Sequence, residues 1–166
     1  MTAGKPKAPP MPEATSKKRI WIDNDGCPKT VRDLVFKLAQ KRQITVVVVG
    51  NSHMHIPAGV PATMIVVPGG FDVADAHIVE HCATGDLVIT ADIPLAALIV
   101  AKGANGLDPR GTIFDSESIQ DRLAVRNLMQ ELRSAGDIRG GAPPYAENDK
   151  KKFANALDRF MTAMLK

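Results

Sequence analysis

Short apolar runs alternate with amphipathic stretches along this chain, and an aspartate follows nearly every run. Ile20-Trp21-Ile22 leads into Asp23-Asn24-Asp25. Met64 to Val67 leads into Gly69-Gly70-Phe71-Asp72-Val73-Ala74-Asp75, and Leu87-Val88-Ile89-Thr90-Ala91 into Asp92. Each run has the length and β-branched content of a buried parallel strand, and each is followed by a helical pattern. That alternation calls for right-handed crossovers and a mostly parallel sheet. Groups just past the carboxyl ends of such strands converge on one rim, where open α/β sheets bind their ligands.

The remaining elements are read the same way. Pro28 suits a first helical turn, after which Val31, Leu34, Val35, Leu38 and Ala39 recur at helical spacing. Thr45 to Val49 is a second strand apolar enough to be buried on both faces. Asn51 to Pro61 is loop-like, and Asp72 or a neighbour caps the helix that runs towards Gly85. Leu87 to Thr90 is the fourth strand, followed by a helix with Pro94 near its start and Gly103 past its end. Thr112 to Phe114 reads as a short fifth strand. Ser118-Ile119-Gln120-Asp121 resembles a capping box, opening a helix to about Ser134 with Val125, Leu128, Met129 and Leu132 on one stripe. A last helix from about Asn148 carries Phe153, Ala156, Leu157, Phe160, Met161 and Met164 on a packing face. The expectation is an α/β domain with a central sheet of four or five strands plus C-terminal helices. Residues 1–18 read as a disordered basic leader rich in Pro and Lys, 19–135 as the α/β domain, and 136–166 as a linker and a helix packing on that domain.

Charge and composition narrow the function. The formal charge of +3 is concentrated in residues 1–19, where Lys5, Lys7, Lys17, Lys18 and Arg19 face only Glu13. The other 147 residues sum to −1, so the basic pI belongs to the leader and argues little for a nucleic-acid-binding face. Aromatic residues make up only 4% of the chain, which gives little support to a platform on which bases stack. Cys27 and Cys82 form neither a disulfide framework nor a zinc pattern. No apolar run approaches the roughly 18 residues needed to span a bilayer, and the N-terminus lacks a signal-peptide core. A soluble cytoplasmic protein is expected. Nothing in the sequence sets an oligomeric state.

The chemistry lies in the aspartates. Up to five carboxylates on one rim repel one another unless protons or a cation intervene, and hard divalent ions such as Mg²⁺ or Mn²⁺ take oxygen ligands of this kind. Each acid also has a plainer role open to it. Asp23 and Asp25 sit in good turn chemistry, and Asp72 and Asp92 stand where a helix wants a cap. Asn51, Ser52 and His53 follow the second strand and could line the same rim. Lys29, Arg110 and Arg126 are candidates for phosphate contacts, with surface solvation as the alternative for each. Cys27 opens a helix, which favours a thiolate, but adjacent carboxylates oppose one, and no His–Asn or His–Asp partner is legible.

Trp21-Ile22-Asp23-Asn24-Asp25-Gly26-Cys27-Pro28, Gly70-Phe71-Asp72-Val73-Ala74-Asp75, Gly85 through Ala96 and Pro109-Arg110-Gly111 resemble the YaiI/YqxD family over about residues 19–165. That family looks like a member of the PIN-like superfamily, whose better-known members are metal-dependent ribonucleases with an acidic cluster on a parallel sheet. The resemblance implies a PIN-like three-layer sandwich. By position, Asp23 matches the acid after the first strand, Asp75 the acid opening the helix before the fourth, and Asp92 the acid of the Thr-x-Asp motif. Asp25 and Asp72 are additional acids within the family's own motifs. The implied reaction is hydrolysis of RNA phosphodiesters. Asp23, Asp75 and Asp92, with Asp25 or Asp72, would hold one or two Mg²⁺ or Mn²⁺ ions. PIN nucleases usually supply a further acid, often Glu, from an early helix, and the Asn51-to-Pro61 segment contains no counterpart.

Two other readings remain open. Asp23-x-Asp25-Gly26 superficially resembles the opening of haloacid-dehalogenase-like phosphatases, in which the first Asp is a nucleophile. A non-catalytic module that binds RNA or a protein through the same rim is the second.

Overall fold

The computed structural model describes residues 17–70, 72–141 and 143–166. The expected leader therefore lies outside the described residues except for Lys17 and Lys18. Six strands form one sheet: β1 (Ile20–Asp23), β2 (Val46–Gly50), β3 (Ala62–Val66), β4 (Leu87–Ile89), β5 (Asn105–Leu107) and β6 (Ile113–Phe114). Their order is β3-β2-β1-β4-β5-β6. The first five are parallel, and β6 pairs antiparallel with β5. Among the described residues five α-helices accompany them: α1 (Lys29–Arg42), α2 (Val73–His81), α3 (Ile93–Ala101), α4 (Ile119–Ser134) and α5 (Glu147–Met164).

Strand pleating divides the core into two layers. Ile20, Ile22, Val46, Val48, Leu87 and Ile89 face α1 and α5, meeting Val31, Val35, Phe36, Phe153, Leu157 and Met161. Trp21, Val47, Val49, Ile65 and Val88 point the other way, onto Ala74 and Ile78 of α2 and Leu95 and Ile99 of α3. The result is an α/β sandwich of three layers. No helix among the described residues is long and apolar enough to cross a membrane.

The sheet has six strands where four or five were expected, and the additional one is β5. Asn105-Gly106-Leu107 lacks the β-branched content that marks a strand in sequence. Its place comes from tertiary packing, because a side chain at Gly106 would meet Phe114 Cδ2 at 3.0 Å. Two local expectations also shift. Ser118 makes no side-chain cap on α4. Instead Asp115 Oδ1 accepts from the Glu117 and Ser118 amides and from the Ser118 hydroxyl. Asp72 precedes α2 with a left-handed φ of 63° and no side-chain cap, so its carboxylate is not used in capping.

Asp86 belongs to the opposite end of the sheet from the other motif acids. It is buried where β4 begins and accepts from the Arg19 amide at 2.9 Å, Trp21 Nε1 at 3.0 Å and the Ala83 amide at 2.9 Å. The Arg19 guanidinium also lies 4.9 Å over the Trp21 ring. This acid pins β1 to the α2–β4 connection, a structural role.

The Pro109-Arg110-Gly111 segment clamps α5. Gly111 has φ 92°, and a Cβ there would come within 2.6 Å of the Lys152 backbone carbon. Arg110 pairs with Asp149 at 3.1 Å, bonds the Pro143 carbonyl and lies 5.9 Å over the Tyr145 ring. Tyr145 in turn donates to the Pro109 carbonyl at 3.0 Å.

Candidate functional site

In the order 3-2-1-4-5 the chain turns back between β1 and β4. Connections leave the two neighbouring strands in opposite directions and open a crevice beyond their carboxyl ends. Asp23 closes β1 there, and Thr90, Ala91 and Asp92 continue β4 into α3. Asp72 and Asp75 enter at the start of α2, and Asn51 follows β2. Asp23, Asp25, Asn51, Asp72, Asp75 and Asp92, together with Gly26, Gly70, Ala74 and Ala91, line one cleft of about 300 Å³. All five aspartates and Asn51 are thus brought together from four separate connections.

The acids differ in how they are held. Asp23 is buried, and its Oδ2 accepts from the Thr90 hydroxyl at 3.0 Å. The same Thr90 oxygen accepts from the Asp92 amide at 2.9 Å. Thr90, 1% exposed, therefore ties the end of β1 to the turn entering α3. Asp92 fulfils its capping role, with Oδ1 accepting from the Leu95 amide at 3.1 Å. Its carboxylate is also within hydrogen-bonding reach of Asp75. Asp25 is exposed, and its Oδ1 lies 3.4 Å from the Asn51 amide. Gly50 makes room for this approach, since a Cβ there would sit 3.1 Å from Asn24 Cβ.

Crowded carboxylates raise one another's proton affinity. Asp75 is pushed up to about 7 by partial burial, by the charges of Asp92 and Asp23, by its hydrogen bond with Asp92 and by Asp72. Asp23 is raised by burial and by Asp25 and Asp92, against the Thr90 bond that favours its ionised form. The N-termini of α2 and α3 both start at the cleft and offset part of this repulsion.

Negative charge of this density suits a hard cation, and every charged donor is a carboxylate oxygen. As placed, however, no three His, Cys, Asp or Glu side chains among the described residues are grouped closely enough to hold a metal ion. The donor type is one a divalent ion takes, while the side chains as placed do not form a ligating group.

The basic candidates stand elsewhere. Lys29 is exposed and pairs with Asp33 one turn along α1. Arg110 is engaged in the α5 clamp, and Arg126 is exposed on α4 with Nη1 donating to Asn127 Oδ1. None of the three lines the cleft, and neither does the exposed His53. The Cys27 thiol is pushed up to about 12 by burial, with Asp23 adding and Arg32 opposing, so it stays protonated at neutral pH. Thr90 is the participant that sequence reasoning passed over. Its signal was its place two residues before Asp92 at the end of an apolar run.

The profile described as "Uncharacterized BCR, YaiI/YqxD family" matches residues 21–163. A UPF0178 protein of Maridesulfovibrio salexigens is 50% identical over 147 residues, covering 89% of this chain and 97% of the relative. One from Pseudomonas putida strain W619 is 50% identical over 148 residues, covering 89% and 99%. One from Dechloromonas aromatica is 45% identical over 143 residues, covering 86% and 95%. No solved structure matches the chain. With the profile matched over nearly the whole sheet-and-helix body, and relatives half-identical along almost their full length, the chain belongs to the YaiI/YqxD family.

Proposed function

We propose that the cleft binds Mg²⁺ or Mn²⁺ and hydrolyses RNA phosphodiesters. One observation carries this reading: five carboxylates from three connections line a single crevice at the point where the sheet reverses direction. The resemblance to PIN-like nucleases at Asp23, Asp75 and Asp92 supports it. Asp23, Asp75 and Asp92, with Asp25 or Asp72, would hold the ion. A divalent ion supplies Lewis acidity towards a phosphodiester. The chain contributes orientation: Thr90 fixes the Asp23 carboxylate, and the α3 cap fixes Asp92. Asn51 offers a neutral polar group at the mouth of the same cleft.

An aspartyl nucleophile is less well supported. One oxygen of Asp23 is held by Thr90, and no Lys or Arg among the described residues lines the cleft to receive a phosphate monoester. A non-catalytic module is favoured by one feature, the spacing of the acids, which do not stand in a ligating group as placed.

The deciding experiment sets purified protein with Mn²⁺ against structured and unstructured RNA, beside Asp23→Asn and Asp92→Asn. The nuclease reading expects cleavage that needs Mn²⁺ and disappears in both variants while their folding is unchanged. RNA retention without cleavage, surviving EDTA and Asp92→Asn, would establish the binding module. A phosphoryl group recovered on Asp23 would establish the phosphatase.

A further inference from the structure

A second hollow opens directly off the acidic cleft. Asp72 and Asp75 line both, and from them a groove of about 400 Å³ passes between α2 and α3, over Val79, Leu95 and Leu98, to Glu80. Its volume is in the range of small-molecule sites. The walls follow from helix spacing, since Asp75 and Val79 stand one turn apart on α2, and Leu95 and Leu98 share a face of α3. Five residues separate Asp75 from Glu80, so these acids stand about 7.5 Å apart along the helix axis. Leu95 is buried, whereas Leu98 is 54% exposed with the groove beside it.

Continuity with the cleft and the charge at the far end decide what suits this groove. A phosphodiester held at Asp72 and Asp75 leaves the base of an adjoining nucleotide next to the apolar walls. Those walls are aliphatic, so they hold a base by covering its faces and not by ring stacking. At the far end the Glu80 side chain makes no hydrogen bond or ion pair with any described residue, and no Lys or Arg among them lines the groove. A carboxylate accepts on two oxygens and donates nothing. Guanine answers it best, because its ring N1–H and its amino group donate side by side on the Watson–Crick edge. Adenine and cytosine offer one amino group beside a ring acceptor, and uracil one N–H between two carbonyls.

We propose that this groove holds a guanine base of the RNA strand whose phosphodiester enters the cleft, with Val79, Leu95 and Leu98 against the base and Glu80 accepting from its N1–H and amino group. The assignment rests on the nuclease reading, which puts a phosphodiester at Asp72 and Asp75, where the groove begins. Glu80 then sets which base lies beside the cleaved bond and takes no part in breaking it.

The test uses the full chain and two measurements. In the first, methyl NMR follows Val79, Leu95 and Leu98 while guanosine, adenosine, cytidine or uridine is added without metal. Guanosine should shift these methyls at the lowest concentration, and Glu80→Gln should weaken its binding by about tenfold. Leu98→Ala should weaken all four nucleosides alike, read at Val79 and Leu95. Glu80 and Leu98 are exposed, and the rest of the spectrum checks that both variants fold. In the second, single-stranded RNA containing all four bases is cleaved with Mn²⁺. Bonds beside guanosine should be cut fastest, and Glu80→Gln should remove that preference. Guanosine on the groove methyls with no RNA cleavage supports the guanine site and counts against the nuclease reading alone. Nucleosides that leave these methyls unshifted, or cleavage with no preference among the bases, would overturn the proposal.

Discussion

Carboxyl groups that share a cleft must divide the cost of their charges, and here that cost falls on Asp75. Its proton affinity is raised to about 7 from an ordinary value of 3.8, so the folded chain binds this proton more tightly than the unfolded chain does. The resulting stability is fully present below about pH 4 and is lost as pH rises through about 7. Asp75→Asn removes the titrating group. In metal-free buffer it should raise the melting temperature by a few degrees at pH 8 and flatten the slope between pH 5 and pH 8. Thermal unfolding at several pH values checks this, and an unchanged slope would sink it. Asp72 adds conformational tension, since a left-handed φ is unusual for a residue other than glycine. Thr90 holds Asp23 and the Asp92 amide at once. Thr90→Val keeps the shape but strands both partners and should cost about 1–3 kcal/mol. Thr90→Ser should recover most of that in urea denaturation.

Among the elements, α5 depends on a contact far from it in sequence. Gly111 lets the β5–β6 turn lie directly on the α5 backbone at Lys152. Gly111→Ala introduces both a left-handed strain and a clash with main chain, and should destabilise the fold by about 1–3 kcal/mol. The same change at Gly136, which has nothing within 4 Å, should lose only the conformational part. Equilibrium unfolding of the two variants separates clash from conformation. Elements whose identity rests on their own residues were legible in sequence. Ile20-Trp21-Ile22 and Val46 to Val49 are apolar on both faces because helices cover both faces. β5 was not legible, because Asn105-Gly106-Leu107 is a strand only by virtue of β4 and Phe114 on either side of it. The start of α4 was legible but its mechanism was not, since Asp115 sits three residues before Ser118 and takes the capping bonds itself.

For the whole molecule, the clustering of Asp23, Asp25, Asp72, Asp75 and Asp92 followed from the rule that strand ends of a parallel sheet share a rim. The same rule does not reach across to Lys29, Arg110 and Arg126, whose positions are set by helix faces and by the α5 clamp. Asp86 shows why acidity alone is a poor guide: its neighbours are an indole, an arginine and two amides, and it stands at the wrong end of β4. A cation entering the cleft must compete with the proton on Asp75, and that competition ties metal binding to pH. Mn²⁺ at about a hundredfold over its dissociation constant stabilises a fold by about 2.7 kcal/mol, which for this length is on the order of 5–10 °C. That gain should be near its full size at pH 8, where Asp75 is ionised, and should shrink markedly at pH 6, where the proton must first be displaced. Asp75→Asn should give a smaller shift with little dependence on pH, and Asp86→Asn is no substitute control because it breaks the core. Differential scanning fluorimetry with Mn²⁺ at both pH values reads all of these. A shift of equal size at pH 6 and pH 8, or one unaffected by Asp75→Asn, would place the ion somewhere other than the five aspartates.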